Sequence, residues 1–252
     1  MRGPSEIYGD AIAEFQAHVE TCTVKAVCGR HYIRAQELKS WFESKWSTGD
    51  SGEITQASRL LRVACGRYSH PGHPIPDGRL YIPGADCCGI IFSILLRIDA
   101  GQHIETLLRK DVTDRNLPIS LLELNKLFKR AKIPDYEEVA SAFNAEQWHF
   151  RPIRFKLNMS MDYEMQQILP ICRKHEINKG GTSKVWQIVV QEEFVDRPLR
   201  ELLRQDPHGC YIDNEFGKVS RIQFPLKRPL HIGQSLFAYA ELVLSICPES
   251  FR

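Results

Sequence analysis

The sequence predicts an α+β protein in which a mostly helical region precedes several antiparallel strands and one more helix. In residues 1–150, apolar residues recur three and four positions apart, as they do along one face of a helix. After Pro152 the apolar residues alternate instead, as in half-buried strands. We therefore expect a helical N-terminal region over 1–150 and a sheet region over 151–252.

Composition narrows the function classes. With 43% hydrophobic and 25% charged residues, the chain has the composition of a globular protein. Its formal net charge of +2 predicts neither a nucleic-acid nor a membrane partner. The longest apolar stretch, 90–96, is far shorter than the roughly 20 residues of a membrane span. The polar N-terminus does not resemble a signal peptide, so we expect a cytoplasmic protein.

Helical spacing is clear in several stretches of the first region. Residues 32–45 and 54–65 place apolar side chains three or four positions apart. The apolar run over 87–98 predicts a buried helix that stops near Gly101, since glycine commonly follows a helix end. An amphipathic continuation is expected over 104–108.

Two later helices have start signals in the sequence. Ser120 lies three residues before Glu123, and Asp135 lies three residues before Glu138. In each pair, the first side chain can accept a free amide of the first turn while the glutamate reaches back. We therefore predict two capping boxes.

Neither the histidines nor the basic residues predict a metal or phosphate site. His70 and His73 lie near Cys65, but prolines and glycines between them indicate a loop without further ligands at metal-binding spacing. The eight cysteines include no C-x-x-C pair and are interpreted as reduced thiols. The basic residues of 126–132 are interpreted as the solvated face of a helix.

Four stretches of the second region read as strands. They cover 150–159, 168–177, 184–190 and, after a polar insertion, 221–228. Helical spacing then returns over 233–246. The second region is therefore predicted to contain an antiparallel sheet and one helix.

A glycine pair joins two of these strands. Gly180 and Gly181 can adopt the positive φ angles of a tight turn, which favours an ordinary β-hairpin. A glycine-rich loop can also let backbone amides approach phosphate oxygens. The glycine pair alone favours the ordinary hairpin. The residues around it favour a phosphate-binding loop.

The segment from Ile177 to Val185, INKGGTSKV, resembles the glycine-rich loop of protein kinases, G-x-G-x-x-G-x-V. Gly180 matches the second glycine and Val185 the valine. Asn178 and Ser183 stand where a kinase has its first and third glycines. The match is therefore degenerate.

Two further residues extend the resemblance. Lys227 ends a short apolar strand, as the nucleotide-contacting lysine of a kinase does, and Glu241 lies in the following helical segment, where the partner of that lysine would lie. The resemblance implies ATP as the ligand, with Glu241 orienting the lysine and with these nucleotide-binding residues: Gly180, Gly181, Ser183, Val185 and Lys227.

A wider stretch, roughly 85–245, is similar to a family of fungal protein-kinase-like proteins. The likeness includes an apolar helix, a D-R-x-L-P turn at 114–118 and a W-x-F-x-P-x-x-F segment at 148–155. In that family a helical leader precedes the start of a kinase domain. The resemblance thus implies an incomplete kinase small lobe over 151–252.

The sequence differs from that of a protein kinase at the motifs needed for catalysis. No H-R-D catalytic loop follows Lys227, and Glu215-Phe216-Gly217 precedes the lysine, so that it cannot serve as the D-F-G magnesium site. We interpret it as part of a turn. No catalytic residue and no metal site are identified, and phosphotransfer is not expected because acceptor-orienting and metal-holding carboxylates are missing.

Three functional alternatives stay open at this point. The first is a truncated kinase-like protein with weak ATP contact and no phosphotransfer of its own. The second is a regulatory interaction protein that binds a protein partner through the helical region or an exposed face of the lobe. The third is a gene fragment without function.

Overall fold

The structure, a computed structural model, describes residues 10–47, 53–66, 75–157, 159, 164–178 and 184–226. Over these residues the chain is a mixed α+β protein with small antiparallel sheets, which confirms the predicted α+β class. Its helices are α1 (Ala11–Cys22), α2 (Ala35–Glu43), α3 (Gln56–Ala64), α4 (Gly89–Arg97), α5 (Ile104–Leu108), α6 (Leu121–Arg130), α7 (Tyr136–Phe150) and α8 (Arg197–Leu203).

The described strands form three sheets. Strands β1 and β2 pair with each other, as do β3 and β4, while the other four form one sheet in the order β5-β6-β8-β7. The pairs within the four-stranded sheet are antiparallel. The strands are β1 (Thr23–Lys25), β2 (His31–Ile33), β3 (Lys45–Ser47), β4 (Glu53–Thr55), β5 (Ile171–Asn178), β6 (Lys184–Gln191), β7 (Cys210–Asp213) and β8 (Gly217–Leu226).

The chain divides into two compact units. The helical unit comprises Met1–Thr23 and Ile33–Arg151, and the sheet unit comprises Val24–Tyr32 and Pro152–Arg252. The sheet unit thus includes a short segment from the N-terminal part of the sequence. The local sequence of Val24–Tyr32 did not predict that this segment belongs to the sheet unit. The residues that Tyr32 contacts, Cys172 and Gln191, follow it by well over a hundred positions.

Helix α4 lies in the core of the helical unit. Every residue from Gly89 to Leu96 is buried, as the continuous apolar run predicts. The helix ends at Arg97, four residues before Gly101, and Asp99 takes the positive φ angle in the turn that follows. No helix in the described ranges is long and apolar enough to cross a membrane.

A buried carboxylate holds the start of α4. Asp114, which is 8% exposed, accepts hydrogen bonds from the backbone N–H groups of Ile90 (3.2 Å) and Ile91 (3.0 Å). Burial raises the pKa of Asp114, and the two amide bonds counteract that shift. Because the first amides of a helix have no partner within it, Asp114 satisfies two donors that would otherwise be buried alone.

A buried amide side chain connects α7 to the segment before α6. Gln147 is fully buried, its Oε1 accepts the N–H of Ile119 (2.8 Å), and its Nε2 donates to the C=O of the same residue (2.8 Å). One side chain therefore satisfies both backbone groups of a residue that belongs to neither helix nor strand.

One of the two predicted capping boxes is confirmed. Ser120 Oγ accepts the N–H of Glu123, and the Glu123 carboxylate accepts the N–H of Ser120, each at 3.3 Å. The prediction for Asp135 is wrong. Its backbone is left-handed with φ of 49°, its side chain makes no capping bond, and the N–H of Glu138 donates to its carbonyl oxygen instead.

The strand predictions for the second region are confirmed in part. Strands β5, β6 and β8 correspond to three of the four alternating stretches. The fourth prediction, 150–159, is wrong, because this stretch leaves α7 and touches a strand-like partner only at the bridge between Phe155 and Val195. The polar insertion contains α8 and β7, and the predicted helix over 233–246 lies outside the described residues.

Candidate functional site

The hairpin β5–β6 and its neighbour β8 form the part of the sheet where the sequence predicts a nucleotide site. Of the predicted site residues, Val185 lies in β6. Five others lie outside the described residues, as do His70 and His73 of the loop considered for metal. These five are Gly180, Gly181, Ser183, Lys227 and Glu241.

The register defines which backbone positions are neighbours. Lys184, the first residue of β6, pairs with Leu226, the last residue of β8, and Val185 pairs with Pro225. On the other side of β6, Val185 pairs with Asn178, the last residue of β5. These ends of the three strands therefore meet at one end of the sheet. In the sequence, 179–183 connect β5 to β6, and Lys227 follows β8.

Strand β6 has buried apolar side chains on both faces. Ile188 and Val190 are fully buried on one face, and Val189, on the other face, is 2% exposed. Ile188 lies opposite Ile222 of β8, which is also buried. Apolar cross-strand pairs of this kind fix the register, because a shift of one residue would move these side chains to the other face.

Lys174 of β5 lies over the ring of Trp186, with Nζ 3.9 Å from the ring centroid. Burial lowers the pKa of Lys174, while Glu176 on the same strand acts in the opposite direction. The ammonium group is thus held close to the sheet by a cation–π contact rather than extended into solvent.

Arg173, the preceding residue of β5, makes contacts at the β7–β8 turn. Its Nη2 lies 3.3 Å from Asp213 and 3.2 Å from Glu215, and its guanidinium lies 5.3 Å from the Phe216 ring centroid. Asp213 Oδ1 also accepts the N–H groups of Glu215 and Phe216, and these bonds lower the pKa of Asp213. The Glu-Phe-Gly stretch is therefore part of a turn, as predicted.

A buried polar network anchors the sheet unit. Tyr32 is fully buried, and its hydroxyl donates to Oε1 of Gln191 at 2.9 Å. Gln191 Nε2 donates to the carbonyl of Phe216 at 3.0 Å, and Cys172 Sγ lies 3.3 Å from the tyrosine hydroxyl. Burial raises the pKa of the Cys172 thiol. The network connects Val24–Tyr32 to β5, β6 and the turn before β8.

Replacing Tyr32 with phenylalanine should lower the free energy of unfolding by about 1.5 kcal/mol, because the buried Gln191 oxygen loses its donor. Chemical unfolding of both proteins measures the change. Tyr211→Phe is the matched control, since the Tyr211 hydroxyl makes no hydrogen bond within the described ranges and its ring contact with Arg221 would persist. Equal destabilisation by the two variants would contradict the assignment.

Sequence reasoning placed Arg173, Lys174 and Arg221 in predicted strands but predicted none of their contacts. Arg221 lies over Tyr211, with 5.0 Å between its guanidinium carbon and the ring centroid. The available signal was the alternation of the strands, which assigns residues to faces but does not say which strand lies beside which. No feature of the sequence around Tyr32 predicted its contact with Gln191.

The described residues contain no group of three or more His, Cys, Asp or Glu side chains that could hold a metal ion. The described cations of the sheet, Arg173, Lys174 and Arg221, contact acidic or aromatic side chains of the same sheet unit. No family model, curated protein or solved structure matches the chain.

Proposed function

We propose that the sheet unit binds the phosphate groups of ATP, in the manner of a protein-kinase small lobe, and that residues 1–252 alone transfer no phosphate. Backbone amides of the loop at 179–183 and the ammonium group of Lys227 supply the contacts to phosphate oxygens. Glu241 orients the lysine. The proposal combines the resemblance of the sequence with the order of the described strands.

The pairing of Lys184 with Leu226 is the observation that carries this proposal. It makes the strand that leaves the glycine loop an immediate neighbour of the strand that leads to Lys227. In the order β5-β6-β8 no other strand separates them. A lysine at the end of β8 and a loop at the start of β6 would therefore serve one ligand.

The proposal assigns no transferase activity to these residues. Transfer needs a group that orients the acceptor hydroxyl and carboxylates that hold magnesium. Within the 252 residues, Glu215 and Asp213 are engaged by Arg173 and by the turn before β8.

Lys227→Ala should weaken the binding of ATP about tenfold, because one charge-assisted contact to phosphate is worth roughly 1.4 kcal/mol. Isothermal titration calorimetry of the full chain with ATP and magnesium measures the change in Kd. Lys218→Ala is the matched control, since this exposed lysine lies near the opposite end of the same strand. With radiolabelled ATP, neither the wild type nor a variant should label itself or a generic acceptor.

Two results would refute the proposal in different ways. If both lysine variants bind ATP as tightly as the wild type, the phosphate site is not at the end of β8. If the wild type transfers phosphate and Lys227→Ala abolishes the transfer, the site is present but its chemistry is catalytic.

A further inference from the structure

A basic groove lies on the surface of the helical unit, remote in sequence from the proposed phosphate site. Its volume is about 360 Å³, and it lies between α6 and the turn that follows α5. The side chains that line it are Lys110, Glu123, Lys126, Leu127 and Arg130. We refer to these residues as the basic groove.

The three cations of the basic groove make no ion pair with any other described residue. Glu123 is the only acid among the five lining residues, and its carboxylate is occupied by the N–H and Oγ–H of Ser120. These bonds lower the pKa of Glu123 and keep it ionised. Lys110, Lys126 and Arg130 are exposed, and two positive charges are left in excess of the one carboxylate.

Apolar surface accompanies this charge. Leu127 lines the basic groove and is half-buried, and Leu122, one turn before Lys126 on α6, is 65% exposed. Residues four apart on a helix are neighbours on its surface. An exposed leucine beside unpaired cations is a combination that suits a ligand with both acidic and apolar side chains.

We propose that the basic groove binds an acidic peptide segment of a partner protein, one in which leucine-like side chains alternate with glutamates or aspartates. The carboxylates would pair with Lys110, Lys126 and Arg130, and the apolar side chains would cover Leu122 and Leu127. Recognition of acidic motifs by clustered basic side chains is a recurring mode of peptide binding.

Nucleic acid fits the same surface less well. A polynucleotide carries a negative charge at every phosphate, and it gains affinity by neutralising many of them. Here Glu123 lies within the groove and the exposed Asp111 follows Lys110. A backbone charged at every phosphate would meet repulsion from both, whereas a peptide can place an apolar side chain opposite each of them. The proposal is independent of ATP binding by the sheet unit.

The test uses the full chain and a fluorescein-labelled synthetic peptide of repeated Glu-Glu-Leu triplets, with fluorescence anisotropy as the measurement. The double variant Lys126→Glu with Arg130→Glu should raise the Kd at least about tenfold. The matched control, Lys25→Glu with Arg115→Glu, changes the net charge by the same amount at exposed positions outside the groove, and its Kd should stay within about twofold.

Several outcomes would overturn the proposal. They are equal weakening by the two double variants, equal binding of a Gln-Gln-Leu peptide, and no binding of the acidic peptide to the wild type. A short single-stranded oligonucleotide that binds more tightly and displaces the peptide would favour nucleic acid instead. Self-association of the wild type that the groove variant abolishes would identify a second copy of the chain as the occupant.

Discussion

Replacing Asp114 with alanine is expected to lower the free energy of unfolding by about 3 kcal/mol. The carboxylate accepts the amides of Ile90 and Ile91 at the buried start of α4, and alanine would leave both donors without a partner. An unsatisfied buried donor costs roughly 1–3 kcal/mol, and the negative charge is also favourable at a helix N-terminus. Denaturant unfolding at neutral pH measures the change.

Two variants make this prediction specific to the carboxylate of Asp114. Asp114→Asn retains one carbonyl acceptor and should cost about half as much as alanine. Asp86→Ala removes an exposed carboxylate close to α4 in the sequence and should change the free energy of unfolding by less than about 0.5 kcal/mol. If Asp114→Ala costs no more than Asp86→Ala, the helix start is not held by this side chain.

The same carboxylate should give unfolding a characteristic pH dependence. Burial raises the pKa of Asp114 in the folded state above its ordinary value of 3.8. The part of the stability that is linked to protonation is therefore fully present below pH 3.8 and is lost as pH rises through the folded pKa, whereas the two amide hydrogen bonds still contribute at neutral pH. The free energy of unfolding of the wild type minus that of Asp114→Asn should accordingly fall as pH rises above 3.8.

Gln147→Leu should lower the free energy of unfolding by about 2–3 kcal/mol, because the N–H and C=O of Ile119 both lose their partner in a buried position. Leucine has nearly the volume of glutamine, so that packing changes little. Amide hydrogen exchange of Ile119 provides a second measurement, since loss of the acceptor should accelerate it more than exchange within α7.

The matched control for this prediction is Gln102→Leu. It makes the same chemical change at an exposed glutamine of the helical unit and should leave the free energy of unfolding within about 0.5 kcal/mol of the wild type. Unaltered exchange of Ile119 in Gln147→Leu would show that its amide is protected by something other than the glutamine side chain.

The sequence predicted those elements whose stability depends on a local period. Strand β6 alternates and lies in a sheet, the apolar run of α4 is buried, and Ser120 with Glu123 forms a capping box. In each case the deciding interactions lie within a few positions of one another. The glycine-pair hairpin follows for the same reason, since both strands that flank it have period two.

Predictions failed where a distant residue or an unusual backbone decided the outcome. Asp135 has the side chain of a helix cap, but its own backbone is left-handed, with φ of 49°. Its carboxylate therefore makes no hydrogen bond to the first amides of α7. The stretch at 150–159 alternates like a strand, yet Phe155 is buried beside Val195 in a loop. Alternation records which side chains are buried and not whether a neighbouring strand exists.

Of the predicted site residues, Val185 lies within the described residues, and its place in β6 agrees with the predicted alternation. The site itself stays a prediction. The contacts of Lys174 with Trp186 and of Arg173 with the turn before β8 depend on cross-strand neighbours. Such neighbours are defined only once the strand order is known.

The membership of Val24–Tyr32 in the sheet unit has a consequence for synthesis of the protein. Tyr32 leaves the ribosome 159 positions before Gln191, the residue that accepts its hydroxyl hydrogen. At about 5–20 residues per second, the tyrosine waits on the order of 10–30 s for that partner. The sheet unit can therefore complete folding only after β6 has been made, and it then closes a loop of 159 residues at a cost in conformational entropy.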